Sequence, residues 1–380
     1  MYVVNRDLKN LEPGFRRFLD AELEPAFLEY DDGPIPRAQM QRWMKQLTDF
    51  GLIKAPFDSK WGGYQMDWLS HLHVFEELVY TSLDIAVPCM MNAVTAAVID
   101  ANGTDAQKER YLPKLLSGDI FGCVAISEPD VGSDVAAVGV RALQDGEDWV
   151  ISGEKTWISS GEYADIAVVA CKTGPQEITH IIVDCHVDGV ETAGIKKMAL
   201  NGQSTAQLFF DSARTPLGNT LGMRGHGLRN TLRAFEIARC HMAVWGIGIS
   251  RRAMDEAISY STQRRQHGKL IAGHQLIADK LATMATNIDA ARLLTHRAAT
   301  MLQSGERADK ECAMAKWFGT EMALQCTRDA LQIHGGNGVC KGLVLERLAR
   351  EAIINPIPDG TTEIQKLLIA RSLTGVSAFK

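Results

Sequence analysis

The sequence predicts an α+β multidomain protein with an N-terminal α-helical domain (1–118), a middle antiparallel β domain (119–228) and a C-terminal four-helix bundle (229–380). Three observations predict it. Apolar residues recur at three- and four-residue spacing through the first part of the chain. Short β-branched runs separated by turn residues then replace that pattern. After Pro216 no proline appears until Pro356, and long amphipathic patterning fills the interval.

In the first part, Trp43, Leu47 and Phe50 share one helical face, and Leu72, Phe75, Leu78 and Val79 share another. Prolines at 13, 25, 34, 36, 56, 88 and 113 divide this region into several helices. The middle part carries the runs Trp149-Val-Ile-Ser, Ala164-Asp-Ile-Ala-Val-Val-Ala, His180-Ile-Ile-Val and Leu208-Phe-Phe, with Asp145-Gly146 as a hairpin signal. In the last part, Ile277, Leu281, Met284, Ile288 and Ala291 predict a buried stripe, and four helices are expected near 229–266, 272–303, 308–333 and 361–373.

At 380 residues, 46% hydrophobic and 23% charged, the chain can bury a large core without disulfides or metals. Disordered, collagenous and small disulfide-stapled classes are excluded. The net charge of −6, from 40 basic and 46 acidic residues, argues against nucleic acid as the main partner. Cys89, Cys123, Cys171, Cys185, Cys240, Cys312, Cys326 and Cys340 form no C-x-x-C pair and mostly sit in apolar stretches. They read as reduced, mostly buried thiols of a cytoplasmic protein. Met1 to Asp20 shows no secretory leader. The longest apolar run, Ile85 to Ile99, is interrupted by Pro88 and Asn92 and is too short to span a bilayer, so no membrane insertion is expected.

Several site signatures are missing: G-x-x-x-x-G-K-[ST], H-E-x-x-H and G-x-S-x-G. Ser152-Gly-Glu-Lys155 matches S-x-x-K but is expected in a hairpin rather than at a helix start. His71 and His73, on one helix, lack the spacing of metal ligands and read as surface or interface histidines; no metal site is expected. Gly222-Met-Arg-Gly-His-Gly227 follows no buried parallel strand, so a dinucleotide fingerprint fails.

Three clusters are more specific. The first is Ala125-Ile-Ser-Glu-Pro-Asp-Val-Gly-Ser-Asp134, followed by Gly153-Glu-Lys-Thr-Trp-Ile-Ser-Ser-Gly161. The second is Arg264-Arg-Gln-His-Gly-Lys-Leu-Ile, leading to His274-Gln275. The third is Gln332-Ile-His-Gly-Gly-Asn-Gly338 with Glu346-Arg347, and then Asp359-Gly-Thr-Thr-Glu-Ile-Gln365. In that order and spacing they resemble the acyl-CoA dehydrogenase family of FAD-dependent flavoproteins, over nearly the whole chain.

The resemblance implies a cofactor site. Val124, Ile126, Ser127, Gly132 and Ser133 would line FAD, with Ser133 also facing a thioester ligand. Trp157 would pack beside the flavin, with the Ser159 hydroxyl near N5. Arg264, Gln266, His267 and Gln275 match positions that contact FAD across a subunit boundary, and His267 stands where Phe is usual. Gln332, Gly335 and Gly336 match the loop that receives the partner subunit's adenosine portion, although a helix C-cap would use the same glycines. Thr361 and Glu363 would meet FAD at a helix start, where Thr362 and Gln365 also read as a capping box. Phe235, Glu236, Arg239 and Gly360 match substrate contacts.

Most of the family carries a Glu before the final Gly-Thr as the base that removes the α-proton of an acyl thioester. Here that position is Asp359, and the alternative location before Arg239 holds Ala238. Aspartate is one methylene shorter, so the pocket is expected to be rebuilt around it, and Pro358 in place of an aromatic neighbour fits that. The stretch Lys197-Met-Ala-Leu-Asn-Gly-Gln-Ser-Thr205 lacks the family's Arg and first Ser. A short, branched, cyclic or functionalised acyl group is therefore expected, on CoA or on an acyl carrier protein. The implied partners are an electron-transfer flavoprotein and further copies of the chain, as a dimer of dimers. The alternative is a related flavin oxidase or monooxygenase on a non-thioester small molecule, since nitroalkane oxidases of this superfamily also carry Asp.

Overall fold

The computed structural model describes residues 13–30 and 32–379, so residues 1–12 of the stretch read as free of a leader lie outside the described residues. The chain divides into two compact units. Of the described residues, a sheet unit comprises 25–30, 32–67 and 84–235; a helical unit comprises 13–24, 68–83 and 236–379.

In the sheet unit, α1 (Arg37–Asp49) buries Trp43 and Leu47 as the spacing predicts. Helix α2 (Trp68–Thr81) belongs to the helical unit. Helix α3 (Leu83–Asn102) continues straight through Pro88, contrary to the expected interruption. At the sixth helical position, the missing N–H removes a single bond in the second turn. Among the described residues it is the one helix long and apolar enough to cross a membrane, and 89% of its apolar window is buried inside the protein. Helix α4 (Asp105–Ser117) opens on a capping box between Thr104 and Gln107 and closes at Gly118, in the left-handed conformation.

Eight strands follow: β1 (Gly122–Ala125), β2 (Arg141–Asp145), β3 (Asp148–Ser159), β4 (Ile166–Gly174), β5 (Glu177–Asp184), β6 (Val190–Gly194), β7 (Thr205–Pro216) and β8 (Thr220–Leu221). They run β6-β7-β3-β2-β4-β5-β8, with β1 paired to β4. Asp145 and Asp148 pair across the expected hairpin, with Gly146 at φ 61°. The sheet is not purely antiparallel, since β1 runs parallel to β4 and Arg141 pairs in parallel with Lys172. Beneath it, Trp149, Ile151, Val169, Ile181 and Leu208 share one buried cluster. Asn92 of α3 fixes the start of β1: its Oδ1 accepts from Gly122 N (2.9 Å), and its Nδ2 donates to the Ile120 carbonyl (2.8 Å).

Helix α5 (Gly227–Ser261) begins in the sheet unit and continues, from Glu236, in the helical unit. The helix expected to reach 266 stops at Ser261 and gives way to a hairpin, β9 (Arg265–Gln266) and β10 (Lys269–Leu270). His267 (φ 50°) and Gly268 (φ 80°) make its two-residue turn, a left-handed pair that no helix accommodates. Then come α6 (Gln275–Gln303), α7 (Asp309–His334), α8 (Val344–Ile354) and α9 (Thr362–Thr374), so α8 is a helix beyond the four expected. On α6 the buried stripe begins at Met284 and continues through Ile288 and Ala291; Ile277 and Leu281 are only half-buried.

Helix α7 is central in this unit, packed against α6, α8 and α9. Where it meets α5, a Cβ added at Gly246 would lie 2.1 Å from the Gly319 carbonyl oxygen, so the two backbones touch. Glu76 of α2 accepts from Arg251 of α5 (2.7 Å) and Arg292 of α6 (2.8 Å). Burial pushes the Glu76 carboxyl up, but the two guanidinium groups outweigh it and hold it below the ordinary range. His71, expected at the surface or an interface, is buried against α5 within the helical unit. Seven cysteines are buried and Cys340 is exposed; all eight are free thiols.

Candidate active site

In the sheet unit, β1 ends at Ala125 and the chain enters a tight turn. The Glu128 and Val131 backbones exchange two bonds (2.9 and 3.0 Å). The Glu128 carboxylate accepts from Gly139 N (2.7 Å) and Val140 N (2.9 Å), which closes the loop on itself. Lys155 locks it to β3: the fully buried ammonium donates to the Ile126 carbonyl (2.9 Å) and to Glu128 (2.7 Å). Burial depresses the Lys155 pKa, and the Glu128 charge opposes that depression. Thr156 N donates to the Ser127 carbonyl (2.9 Å), setting Ser127 beside the next residue, Trp157.

A bulge in β3 between Lys155 and Ile158 puts Trp157 at φ 60° and leaves its indole 62% exposed. A strand tryptophan of this kind would usually be core; the bulge re-aims it outward. Ser127 and Ser159 are half-buried, whereas Gly132 and Ser133 are exposed on the turn. Val124, Ile126 and Phe235 join one apolar cluster with Val131, Val138, Ala170 and Ile178. A flat exposed aromatic held in a left-handed backbone, beside hydroxyls on a rigid loop, fits the face and polar edge of a flavin ring.

The helical unit holds the second group. Asp359 lies half-buried in the loop between α8 and α9, at φ 54°, followed by Gly360 at φ 89°. Arg239 lies within α5, is 4% exposed and approaches the Asp359 carbonyl (3.4 Å). Burial raises the Asp359 pKa above the ordinary carboxylate value, opposed by Lys316 and Arg239. Glu236, one turn before Arg239, is buried and hydrogen-bonded to Asp309. Burial pushes the Asp309 carboxyl up, and its bonds to Glu236 and Arg307 more than offset this.

Thr361, not Thr362, caps α9, accepting from Ile364 N (3.5 Å). Thr362 instead donates to Glu321 (2.6 Å), and Gln365 turns back to the Asp359 (3.2 Å) and Gly360 (2.7 Å) carbonyls. Its amide is thereby taken from the expected capping box. Glu363 is exposed, and its pKa is lowered mainly by the bond to Thr361.

A third group sits at the far end of α7. Arg264, Gln266, His267 and Gln275 are exposed on and after the β9–β10 hairpin, and Gln332, Gly335 and Gly336 are exposed at the α7 terminus. Tyr260 joins the two: Arg264 N donates to its carbonyl (2.9 Å), Asn337 donates to its hydroxyl (3.1 Å), and its ring stacks on His334 at 4.2 Å. Gly335 does cap α7, at φ 59°. At 1.5 Å per residue, His334 lies about 27 Å along α7 from Lys316, so this group is not brought to Asp359.

Lys155, Lys316 and Gln365 were not singled out by the sequence as site residues. Gln365 carried a signal, because a glutamine in the first turn after a tight loop has carbonyls within reach. The lysines carried none, since each looks like an ordinary solvated cation.

Family models for the N-terminal, middle and C-terminal domains of acyl-CoA dehydrogenase match residues 5–119, 123–213 and 225–374. The chain is 34% identical to the 3-(aryl)acrylate reductase of Clostridium sporogenes, over 94% of this chain and 96% of that protein. It is 31% identical to a caffeyl-CoA reductase–Etf complex subunit of Acetobacterium woodii, over 94% and 96% respectively. Its structure is similar to butyryl-CoA dehydrogenase from Megasphaera elsdenii, with a TM-score of 0.94, 28% identity, and coverage of 98% of this chain and 99% of that one.

Proposed function

The chain belongs to the acyl-CoA dehydrogenase family, a family of FAD-dependent oxidoreductases, and from that premise we propose that it carries out α,β-dehydrogenation of an acyl-CoA thioester, with Asp359 as the base. The observation that carries this reading is Asp359 itself, a half-buried carboxylate in a loop whose backbone Arg239 contacts, at the position the family uses for its base.

Val124, Ile126, Ser127, Gly132, Ser133, Trp157 and Ser159 would hold the flavin on the sheet unit. FAD, when bound, supplies a two-electron acceptor for the hydride that leaves the substrate β-carbon. Asp359 takes the α-proton. Burial disfavours its charged form, so accepting a proton relieves that penalty and moves its basicity toward neutral pH. In the reverse direction the protonated Asp359 returns the proton to the α-carbon. Within the helical unit, Glu236, Arg239 and Gly360 would orient the thioester arm. Segment 197–205, which lacks the family's Arg and first Ser, folds onto Asp84 through Gln203 N (2.9 Å). Its side chains therefore offer a different surface to the acyl end, which favours a short, branched, cyclic or functionalised group, aryl-acrylate types included.

An electron-transfer flavoprotein is the proposed redox partner, in line with the Etf-complex subunit among the relatives. Arg264, Gln266, His267, Gln275, Gln332, Gly335 and Gly336 group where α7 ends, and His334 there lies about 27 Å along the helix from Lys316, which favours their serving a second copy in a dimer of dimers. A cytoplasmic location accords with the free thiols.

Anaerobic titration of the yellow protein with a panel of acyl-CoAs and acyl-carrier-protein thioesters tests the proposal. Bleaching of the flavin band by one class, abolished in Asp359→Asn, is the expected result. No bleaching by any thioester, with reduction by a nitroalkane and peroxide formed in air, would replace it with the oxidase reading.

A further inference from the structure

Lys316 is the one fully buried lysine of the helical unit among its described residues, and no carboxylate lies within 4 Å of its ammonium. Its two bonds go to backbone. Nζ donates to the Pro356 carbonyl (2.7 Å) and to the Gly360 carbonyl (2.5 Å), which flank Asp359 on either side. A buried cation spent on two carbonyls rather than on an ion pair needs a reason, because desolvating an ammonium is costly.

The loop supplies the reason. Asp359 and Gly360 are consecutive left-handed residues, a conformation that an ordinary side chain resists. A Cβ at Gly360 would come within 2.8 Å of the Gln365 amide, so the turn is closed tightly from α9 as well. Three helices thus grip one short loop through its carbonyls: α5 by Arg239, α7 by Lys316 and α9 by Gln365. A glutamate base has an extra rotatable bond with which to find its substrate. An aspartate base has its reach set by the backbone.

We propose that Lys316 is a positioning residue: it clamps the Pro356–Gly360 loop so that the shorter Asp359 carboxylate is held at one place. This deepens the reading of Asp359 as the base and rests on it. The charged groups facing the loop are Lys316 and Glu321 on α7, Arg239 on α5 with Glu236 and Asp309 behind it, and Glu363 on α9. Burial pushes the Lys316 pKa down to about 8, with Asp359 opposing, and Lys316 in turn opposes the rise in Asp359. Replacing the ammonium with an uncharged group therefore moves Asp359 further up.

The test compares Lys316→Met, which keeps length without charge or donor, with Lys316→Gln, which keeps a donor without charge. Both are made in the flavin-loaded enzyme. Amide hydrogen exchange over 355–361 reads the clamp without any turnover. Exchange should rise about tenfold or more in Lys316→Met, as loss of charge-assisted bonds implies, and less in Lys316→Gln. Anaerobic bleaching by the active thioester reads the base. Its rate at neutral pH should fall about a hundredfold in Lys316→Met. Its acid limb should move to higher pH in both variants, with thioester affinity and flavin content within threefold of the parent. Loop exchange within twofold of the parent in both variants would overturn the clamp. A bleaching rate within twofold of the parent in both variants would overturn its positioning of the base. If Lys316→Met does not fold, Lys316→Gln alone decides on the same readouts. If no thioester bleaches the parent, the base reading fails, while exchange still decides the clamp.

Discussion

His71 and His241 meet Nε2 to Nε2 at 2.8 Å, and both rings are sealed from solvent. The contact fixes their tautomers. His241 Nδ1 donates to the Ile237 carbonyl (3.1 Å), so its Nε2 is bare and accepts the proton of His71 Nε2. A second proton on the pair would set two N–H groups against each other. Burial is the leading cause that lowers both pKa values, His241 to about 4.

Acid stability follows from that pair. The folded histidines titrate below the unfolded value of 6.5, so the unfolded chain binds protons first as pH falls. Their stabilising contribution is complete above pH 6.5 and is lost as pH drops toward 4. For His241 the loss amounts to about 2 kcal/mol by pH 5. Buried His180, also near 4, adds to it. Thermal melts from pH 7.5 to 5 should show the decline, and His71→Phe with His241→Leu should flatten it.

At the proposed base, Asp359→Asn should fold normally, since both residues tolerate a left-handed backbone. Flavin reduction by substrate should fall by about 10²–10⁴-fold. Asp359→Glu should not improve the enzyme. The longer side chain overshoots from a fixed loop, and about a hundredfold loss is expected. In the parent, the rate should fall on acidification through a pKa above the ordinary carboxylate range, because the protonated form cannot accept the α-proton. Stopped-flow absorbance over a pH series measures both effects.

Trp157 separates binding from folding. Its exposed side chain contributes little to the core and its backbone is strained, so Trp157→Gly should leave the flavin-free protein within about 1 kcal/mol of the parent. Flavin retention through gel filtration should drop sharply. A large fall in the melting temperature of the flavin-free chain would instead make Trp157 a structural residue.

Lys155→Met leaves the Glu128 charge nearly buried without its cation and should destabilise by about 3–5 kcal/mol. Adding Glu128→Gln should recover part of that loss, because the stranded charge goes with it. Denaturant unfolding of the single and double variants measures the coupling.

Much of the fold was legible because it follows local rules. Asp145-Gly146 marked its hairpin, and the spacings of Trp43 and Leu47, or of Phe75 and Leu78, marked their buried faces. The β9–β10 hairpin was missed although His267-Gly268 signals one, because the flanking arginines and glutamine read as a continuing helix face. Helix α8 was missed because it is short and follows a glycine-rich loop. The site was legible as residue types in order, not as a machine. Nothing local distinguishes Lys316 in Ala-Met-Ala-Lys-Trp from a solvated lysine; only the return of α9 across α7 makes it a clamp.

The touching backbones of Gly246 and Gly319 carry a consequence for that clamp. Gly319 lies one turn beyond Lys316 and Gly246 two turns beyond Arg239, so the gap between the two cations is gauged by a pair of positions with no side chain at all. A single methyl at either one acts as a shim between the helices, spreading the jaws that hold Asp359. The tolerance of the proposed base is thus machined a full turn and more along each helix from the cations that hold its loop, at residues with no side chain to line a pocket.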